Sequence, residues 1–423
     1  MAAERPSHQD KTPSQSSSST GNDVPPQSAG HPEIVTRLRD EIARAGSITL
    51  ARFMEIALYD PEHGYYQTSQ RRPGRGGDFL TSPELHPFFG FTLARQIAEC
   101  WQRLDRPAIF TVREYGPGVG GLAYDIIAAI SEHTPEMRAA LRYRLVDVNP
   151  HRMRDALAAM AEVGLGDVVS AETPADAAND PIAGVVLANE VADAFPVHQL
   201  IVRDGALRER FVTWDGDAAW FAWAEAPLSG EIARLDIASY LERAGVNVSD
   251  LPDGSLLEVS PAAAAWVAEF ARGLARGYAL IVDYGYPAAE LYRGHRLGGL
   301  LRGYRSHTVT DDPFVAIGEQ DLTAHVDFTA LIAAAQQSGM EVAGLTTQAD
   351  FLTALGMGDF LVDLQRQEGM DLERYYHSQA AVMRLIDPGG LGRFRVLGLA
   401  KDAPIVPPLR GFASLDLAAE LRR

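Results

Sequence analysis

Apolar positions change period twice along this chain, and the changes divide it. From Pro32 to Tyr59 the spacing is helical: Ile34, Leu38 and Ile42 recur at every fourth residue, and Phe53, Ala57 and Leu58 mark a second helical stretch. A glycine-rich, aromatic loop follows, from Asp60-Pro61-Glu62-His63-Gly64-Tyr65-Tyr66 through Gly74, Gly76 and Gly77 to Asp78-Phe79-Leu80-Thr81-Ser82-Pro83-Glu84. Phe89, Leu93, Ile97 and Trp101 then predict one buried face of a helix.

From Ile109 the pattern alternates between short apolar runs and helical stretches. Ile109–Val112 reads as a first strand, Leu122–Ile130 as its crossover helix, Arg144–Val148 as a second strand, Val168-Val169 as a short third and Gly184–Ala188 as a fourth. The fourth is continuously apolar, as strands buried on both faces are. Such alternation predicts an α/β fold with a doubly wound, Rossmann-like and mostly parallel sheet. At His198 the rhythm breaks: Gln199–Arg203 and Leu207–Trp214 flank Asp204-Gly205, a two-residue hairpin signal, and a meander running on through Trp220 and Trp223 is expected as an insertion. The α/β rhythm is expected to resume with Leu256–Val259, a helix from Pro261 to Arg276 and a strand at Ala279–Asp283, and to finish with two helices and a strand at Arg395–Leu399. The resulting division is a disordered tail (1–30), a helical and loop region covering the ligand (31–105), two halves of the α/β domain (106–197 and 255–402) around an inserted β-meander and helical region (198–254), and a C-terminal tail (403–423).

Composition narrows the picture. A chain of 423 residues suits two domains or one domain with a large insertion, and 46% apolar residues supply a core. A net charge of −18 argues against a nucleic-acid partner, because phosphate binding needs a basic face, and is compatible with a basic protein substrate. Cys100 is the only cysteine, so no internal disulfide framework exists and a reducing, cytoplasmic compartment fits. Lys11 and Lys401 are the only lysines, a bias toward Arg that fits a GC-rich bacterial genome. No apolar run approaches the roughly 20 residues of a membrane span.

Candidate chemistry begins at Glu114-Tyr115-Gly116-Pro117-Gly118-Val119-Gly120-Gly121, between the first strand and its helix. A glycine turn leading into a helix N-terminus is how open α/β sheets seat a nucleotide-like cofactor. Gly116 and Gly118 free the main chain to adopt φ > 0 and touch a ligand, and Gly120 permits close packing of helix on strand. The string satisfies both the dinucleotide pattern and the S-adenosylmethionine pattern, and Glu114, two places before the first glycine, tilts it toward the second. Asp147, at the end of the second strand, stands where an acid hydrogen-bonds ribose hydroxyls, although it could instead cap the helix at Pro150. The fourth strand delivers Asn189, Glu190 and Asp193 to the crevice. Asn189 could cap a helix, but Glu190 and Asp193 have no evident structural reason to be acidic. Asp321-Leu322-Thr323-Ala324-His325-Val326-Asp327 groups two aspartates with a histidine. A base or substrate clamp suits it better than a metal site, since no other His or Cys cluster has ligand spacing. Gly-x-Ser-x-Gly and the Walker phosphate loop are both absent.

Several long blocks agree with one family. Phe53–Pro61 with Gly64-Tyr65-Tyr66, Gly77–Glu84, Glu114–Gly118, Asn189-Glu190 through Pro196, Asp283-Tyr284-Gly285-Tyr286, Leu301–Arg305, Gly318–Phe328, and Thr347-Gln348 with Phe351-Leu352 resemble the MidA-type methyltransferases over residues 34 to 402. The resemblance implies a class I S-adenosylmethionine-dependent methyltransferase, related to a mitochondrial factor that dimethylates an arginine on a subunit of respiratory complex I. It implies a protein substrate and a role in assembling that complex. Gly116, Gly118, Gly120, Glu114, Asp147 and Asn189 would hold the cofactor, with Asp78, Thr81 and Ser82 closing over it. Glu190 and Asp193 would accept hydrogen bonds from a guanidinium, and His325, oriented by Asp321 or Asp327, would take up its proton. Two departures stand out: Asp147-Val148-Asn149-Pro150 where the family more often has Glu and Ser-Pro, and Val191-Ala192 in place of a bulkier aromatic pair. A cofactor-binding assembly chaperone and a nicotinamide-dependent oxidoreductase are the alternatives.

Overall fold

The computed structural model describes residues 30–67, 81–293 and 298–418. Asp78 and residues 1–29 of the expected N-terminal tail lie outside them, and Gly30, the last residue of that expected tail, bridges to Ile317. Among the described residues, seven strands form the main sheet: β1 (Phe110–Tyr115), β2 (Leu141–Val146), β3 (Val169–Glu172), β4 (Ile182–Asn189), β5 (Leu274–Asp283), β6 (Glu341–Thr347) and β7 (Arg395–Lys401). Their order is β6-β7-β5-β4-β1-β2-β3. Only β7 runs against its neighbours, and the remaining pairs are parallel. Helices cover both faces. Phe88–Arg103, Gly121–His133 and Pro150–Glu162 share one apolar core, and Pro261–Arg272 and Phe328–Gln337 share the other. The chain runs outward from β1 through β3 and returns to β4, so the order reverses between β1 and β4, and that reversal opens a crevice at their carboxyl ends.

The apolar runs became strands where expected, with two exceptions. β6 was not among the expected strands, and Gly344 interrupts its apolar run. In the structure a Cβ on Gly344 would stand 2.5 Å from the Phe412 ring, and one on Gly398 of β7 would stand 2.7 Å from it. Two glycines on adjacent strands therefore make a floor for a ring from the C-terminal segment, and burying that ring is worth roughly 2–3 kcal/mol. The second exception is Leu256–Val259. It does not resume the parallel sheet but pairs antiparallel with His198–Arg203, joining the inserted meander.

The meander itself follows the hairpin signal, with Arg203 opposite Ala206 across Asp204-Gly205. Both turn residues have positive φ, 52° and 73°, as a two-residue turn of this hand requires. Ile48-Thr49 adds to the same sheet beside Phe211 and Val212. The first helix, Pro32–Ala45, buries Ile34, Leu38 and Ile42 as their spacing predicts, in a core shared with Phe53, Val212 and Phe221. Two small sheets roof the crevice: Arg302–Arg305 with Thr308–Thr310 and Asp321–Thr323, and Gly285-Tyr286 with Val326-Asp327. They are tied down by Ala324 N–H to the Asp193 carbonyl and Val326 N–H to the Tyr284 carbonyl, both 3.0 Å. Cys100 is buried. No helix among the described residues is long and apolar enough to cross a membrane.

Candidate active site

The glycine turn leaves β1 at Tyr115 with φ of 63°, 57° and 85° at Gly116, Gly118 and Gly120. Each glycine has its own reason. A Cβ on Gly116 would come 2.7 Å from Val191 Cγ2, so this residue permits the loop after β4 to approach. A Cβ on Gly120 would come 2.8 Å from Met160 Cε; the tight packing is against helix Pro150–Glu162, not against the strand as expected. Among the described residues, Gly118 and Gly121 have nothing within 4 Å of an added Cβ, so the turn presents an open side at the N-terminus of helix Gly121–His133. Unpaired N–H groups gather at such an end and favour a polar or anionic ligand group.

Asp147 stands beside this turn at the end of β2. It does not cap the following helix: Asn149 does, accepting from His151 N (3.0 Å) and Arg152 N (3.1 Å). One Asp147 oxygen accepts from Asn149 N at 2.8 Å, and the other lies 3.9 Å from Arg152. Burial raises its pKa, opposed by the Arg152 charge and by those backbone donors. Glu114 turns inward, accepting from the Tyr143 hydroxyl at 2.7 Å, and burial pushes its carboxyl up to about 7. Thr81 forms a reciprocal cap with Glu84 on the short helix Ser82–Leu85. Ser82 is the residue of that loop that reaches the crevice, its N–H 3.3 Å from Glu190 Oε1.

Glu190 follows β4 with φ of +54°, a conformation that costs an ordinary residue energy and concentrates at functional sites. Its Oε1 also accepts from Asn189 Nδ2 at 3.1 Å. Burial, reinforced by the Asp193 charge, pushes Glu190 up to about 8. Asn189 is not a helix cap, and its Oδ1 is buried with no hydrogen-bond partner among the described residues. Asp193 is also buried, and burial raises its carboxyl.

The turn carrying both acids is pinned by a residue that sequence reasoning did not single out. Asp283, fully buried at the end of β5, accepts through Oδ2 from the backbone N–H groups of Val191 (3.1 Å), Ala192 (2.8 Å) and Asp193 (3.3 Å). Its Oδ1 accepts from Tyr284 N at 2.8 Å. A second overlooked residue is Tyr66. Its hydroxyl donates to Asp321 Oδ1 at 2.5 Å, and its carbonyl accepts from Asn149 Nδ2 at 2.7 Å. One residue thus spans from the Asp147 loop to the roof. Position supplied a signal for Asp283, an acid closing an apolar strand beside β4; for Tyr66 no period marks a loop residue.

The Asp321–Asp327 segment divides. Asp321 joins the crevice through Tyr66, whereas Asp327 caps helix Phe328–Gln337 and accepts from the Tyr240 hydroxyl at 2.5 Å. Asp327 is thus engaged by the helix cap and by Tyr240. The His325 ring stacks on Tyr286 (5.7 Å) and meets the edge of Tyr284 (5.2 Å).

An open glycine cradle at a helix N-terminus, a ribose-height carboxylate and a buried, unpartnered amide oxygen fit a nucleoside bearing hydroxyls and an ammonium group. With this strand order and one antiparallel strand, β7, they define a class I methyltransferase whose cofactor is S-adenosyl-L-methionine. A family model for S-adenosyl-L-methionine-dependent methyltransferases matches residues 92–346, and the chain belongs to that family, the one its sequence blocks resemble. A Burkholderia thailandensis protein crystallised with S-adenosyl-homocysteine is 34% identical, superposes with a TM-score of 0.79, and the match covers 91% of this chain and 95% of that one. The mitochondrial protein arginine methyltransferase NDUFAF7 of Mus musculus is 28% identical over 80% of this chain and 77% of its own. That of Danio rerio is 27% identical over 91% and 93%.

Proposed function

We propose that this methyltransferase acts on an arginine side chain of a protein, with a respiratory complex I subunit as the class of substrate to which the family resemblance points, inside a reducing, bacterial cytoplasmic compartment. The observation that carries the reading is Glu190: a carboxylate held in a strained turn at the end of β4, next to the glycine cradle, with Asp193 beside it. A guanidinium stays charged throughout the working pH range, so it needs carboxylates to bind and orient its planar fork.

Gly116, Gly118 and Gly120 with the N–H groups of helix Gly121–His133 would hold the cofactor at one end, Asp147 at its ribose and Asn189 beside its reacting end. The Thr81-Ser82 loop, whose N–H meets Glu190, would close this side. The bound cofactor supplies a methyl group already activated on a sulfonium. The protein's task is therefore alignment and exclusion of water. Glu190 aligns the guanidinium, Asp193 assists, and Asp283 keeps both on one rigid turn. His325 accepts the proton released as the nitrogen is methylated, with Asp321 fixed by Tyr66 at the same side.

The elevated Glu190 gives a pH dependence of definite sign. A cation binds the ionised carboxylate, so below about pH 8 binding must first displace a proton. kcat/KM is expected to rise about tenfold per pH unit up to about pH 8 and then level off. A profile flat from pH 6 to 9 refutes the role of Glu190 as the cation's partner. The reading as a whole is tested by mass spectrometry of protein methylation in the host strain with and without the gene. At least one methylarginine is expected to disappear, and unchanged arginine methylation overturns it.

A further inference from the structure

Tyr66 touches both halves of the crevice, one with its main chain and the other with its hydroxyl. On the side of Asp147 its carbonyl accepts from Asn149 Nδ2 at 2.7 Å and from Arg152 Nη2 at 3.4 Å, while Gln67 Nε2 reaches the Val148 carbonyl at 3.4 Å. Asn149 is tied in turn to Asp147, its N–H donating to Oδ1 at 2.8 Å. On the far side the Tyr66 hydroxyl donates to Asp321 Oδ1 at 2.5 Å, and Asp321 is buried in the roof strand Asp321–Thr323. Directly after that strand, Ala324 N–H donates to the Asp193 carbonyl at 3.0 Å, on the turn that carries Glu190. Tyr59 runs alongside, its ring 5.3 Å from that of Tyr66 and its hydroxyl donating to the Ala194 carbonyl at 3.0 Å. A continuous series of hydrogen bonds therefore leads from Asp147 through Tyr66 and the roof to the Asp193 turn.

We propose that Tyr66 is a positioning residue that couples the two binding sites, so that a bound methyl donor fixes Asp321, the roof and the turn of Glu190 and Asp193 in place for the acceptor. The proposal rests on the cofactor meeting Asp147, as in the reading above. A tyrosine ring turns about only two side-chain torsions, so clamping the Tyr66 main chain to Asn149 leaves its hydroxyl little freedom. Burial and the Asp321 charge push that hydroxyl well above its ordinary range, so it stays protonated and donates a charge-assisted bond to the carboxylate. A ribose on Asp147 stills the segment from Asp147 to Arg152, and Tyr66 carries that order to Asp321. An acceptor that then binds against the roof loses less conformational entropy than it would on the free enzyme. Such coupling is reciprocal, so a bound acceptor tightens the donor by the same factor.

Hydrogen–deuterium exchange of the whole chain, with and without saturating S-adenosylhomocysteine, reads the coupling and needs no substrate protein. In the wild type the ligand is expected to slow exchange about fivefold or more, both in peptides covering residues 147–152 and in peptides covering residues 321–327. Tyr66→Phe keeps the ring and the main-chain bond to Asn149. Slowing at 147–152 is therefore expected to persist, while that at 321–327 falls below about twofold. Asp321→Ala removes the same bond from its other end and is expected to behave likewise. Asp321→Asn keeps an Oδ1 acceptor for the hydroxyl and is expected to retain most of the slowing. A bond that served stability alone would change roof exchange equally with and without ligand, leaving the ligand-induced difference as in the wild type. That result in Tyr66→Phe overturns the proposal, as does a wild type slowed at 147–152 but not at 321–327. Slowing at neither segment by a ligand that binds would instead overturn the placement of the ribose on Asp147, and the coupling with it.

Discussion

Glu190→Gln is expected to lower kcat/KM for an arginine-bearing protein by about two to three powers of ten while leaving S-adenosylmethionine affinity within about twofold. Glutamine keeps the length of the side chain and an Oε1 acceptor for the N–H of Ser82 and the amide of Asn189, so the local hydrogen bonds survive. Only the charge is lost. Breaking one partner of a buried, hydrogen-bonded charge pair costs about 2–5 kcal/mol, and the middle of that range corresponds to the stated factor. The substitution is not expected to weaken the fold. Burial and the Asp193 charge already disfavour ionised Glu190, so near and above pH 8 a neutral residue relieves that repulsion, and the melting temperature should hold or rise. Turnover near the wild-type rate on the true substrate would sink the assignment. A fall in turnover accompanied by lost cofactor binding would move Glu190 to the cofactor's side of the site.

These expectations draw on a site that was only partly legible in the sequence. Strands such as β4 and β5 announce themselves because a parallel strand covered on both faces has no polar alternation to obscure it. The residues at their carboxyl ends follow from topology, which is why Glu190, Asp193 and Asp147 were in view before the structure. Contacts across long sequence separations left no trace. β6 was hidden because Gly344 serves a ring sixty-odd positions away, at Phe412. Leu256–Val259 has the composition of a sheet strand, and composition does not say which sheet; its partner His198–Arg203 decided that. Asp327 resembled Asp321 in sequence, yet helix capping claims one and a tyrosine hydroxyl from the N-terminal block claims the other. Tyr66 and Asp283 act by hydrogen bonds to backbone far along the chain, a kind of information that no local period encodes.

The glycine turn allows the sharpest separation of binding from folding, because its two flexible residues face different surroundings. Gly118→Ala is expected to weaken S-adenosylmethionine binding by about a hundredfold or more, measured by calorimetry, while lowering stability by only about 1–2 kcal/mol, the cost of placing an alanine at left-handed φ. Among the described residues nothing lies within 4 Å of the added methyl, so the group projects into open space beside the turn, where a bound cofactor would meet it. Gly116→Ala carries the same conformational cost and in addition drives its methyl to 2.7 Å from Val191 Cγ2. It should therefore be the more destabilising of the two in thermal or denaturant unfolding. Trimming the neighbour tests that cause: Val191→Ala removes the offending methyl, and combined with Gly116→Ala it should recover part of the lost stability, a non-additivity expected only between groups in contact. The same trimming should do nothing for Gly118→Ala, whose partner is the cofactor. If Gly118→Ala binds S-adenosylmethionine as the wild type does, the main chain there is not part of the cradle, and the cofactor's path along the turn must be redrawn.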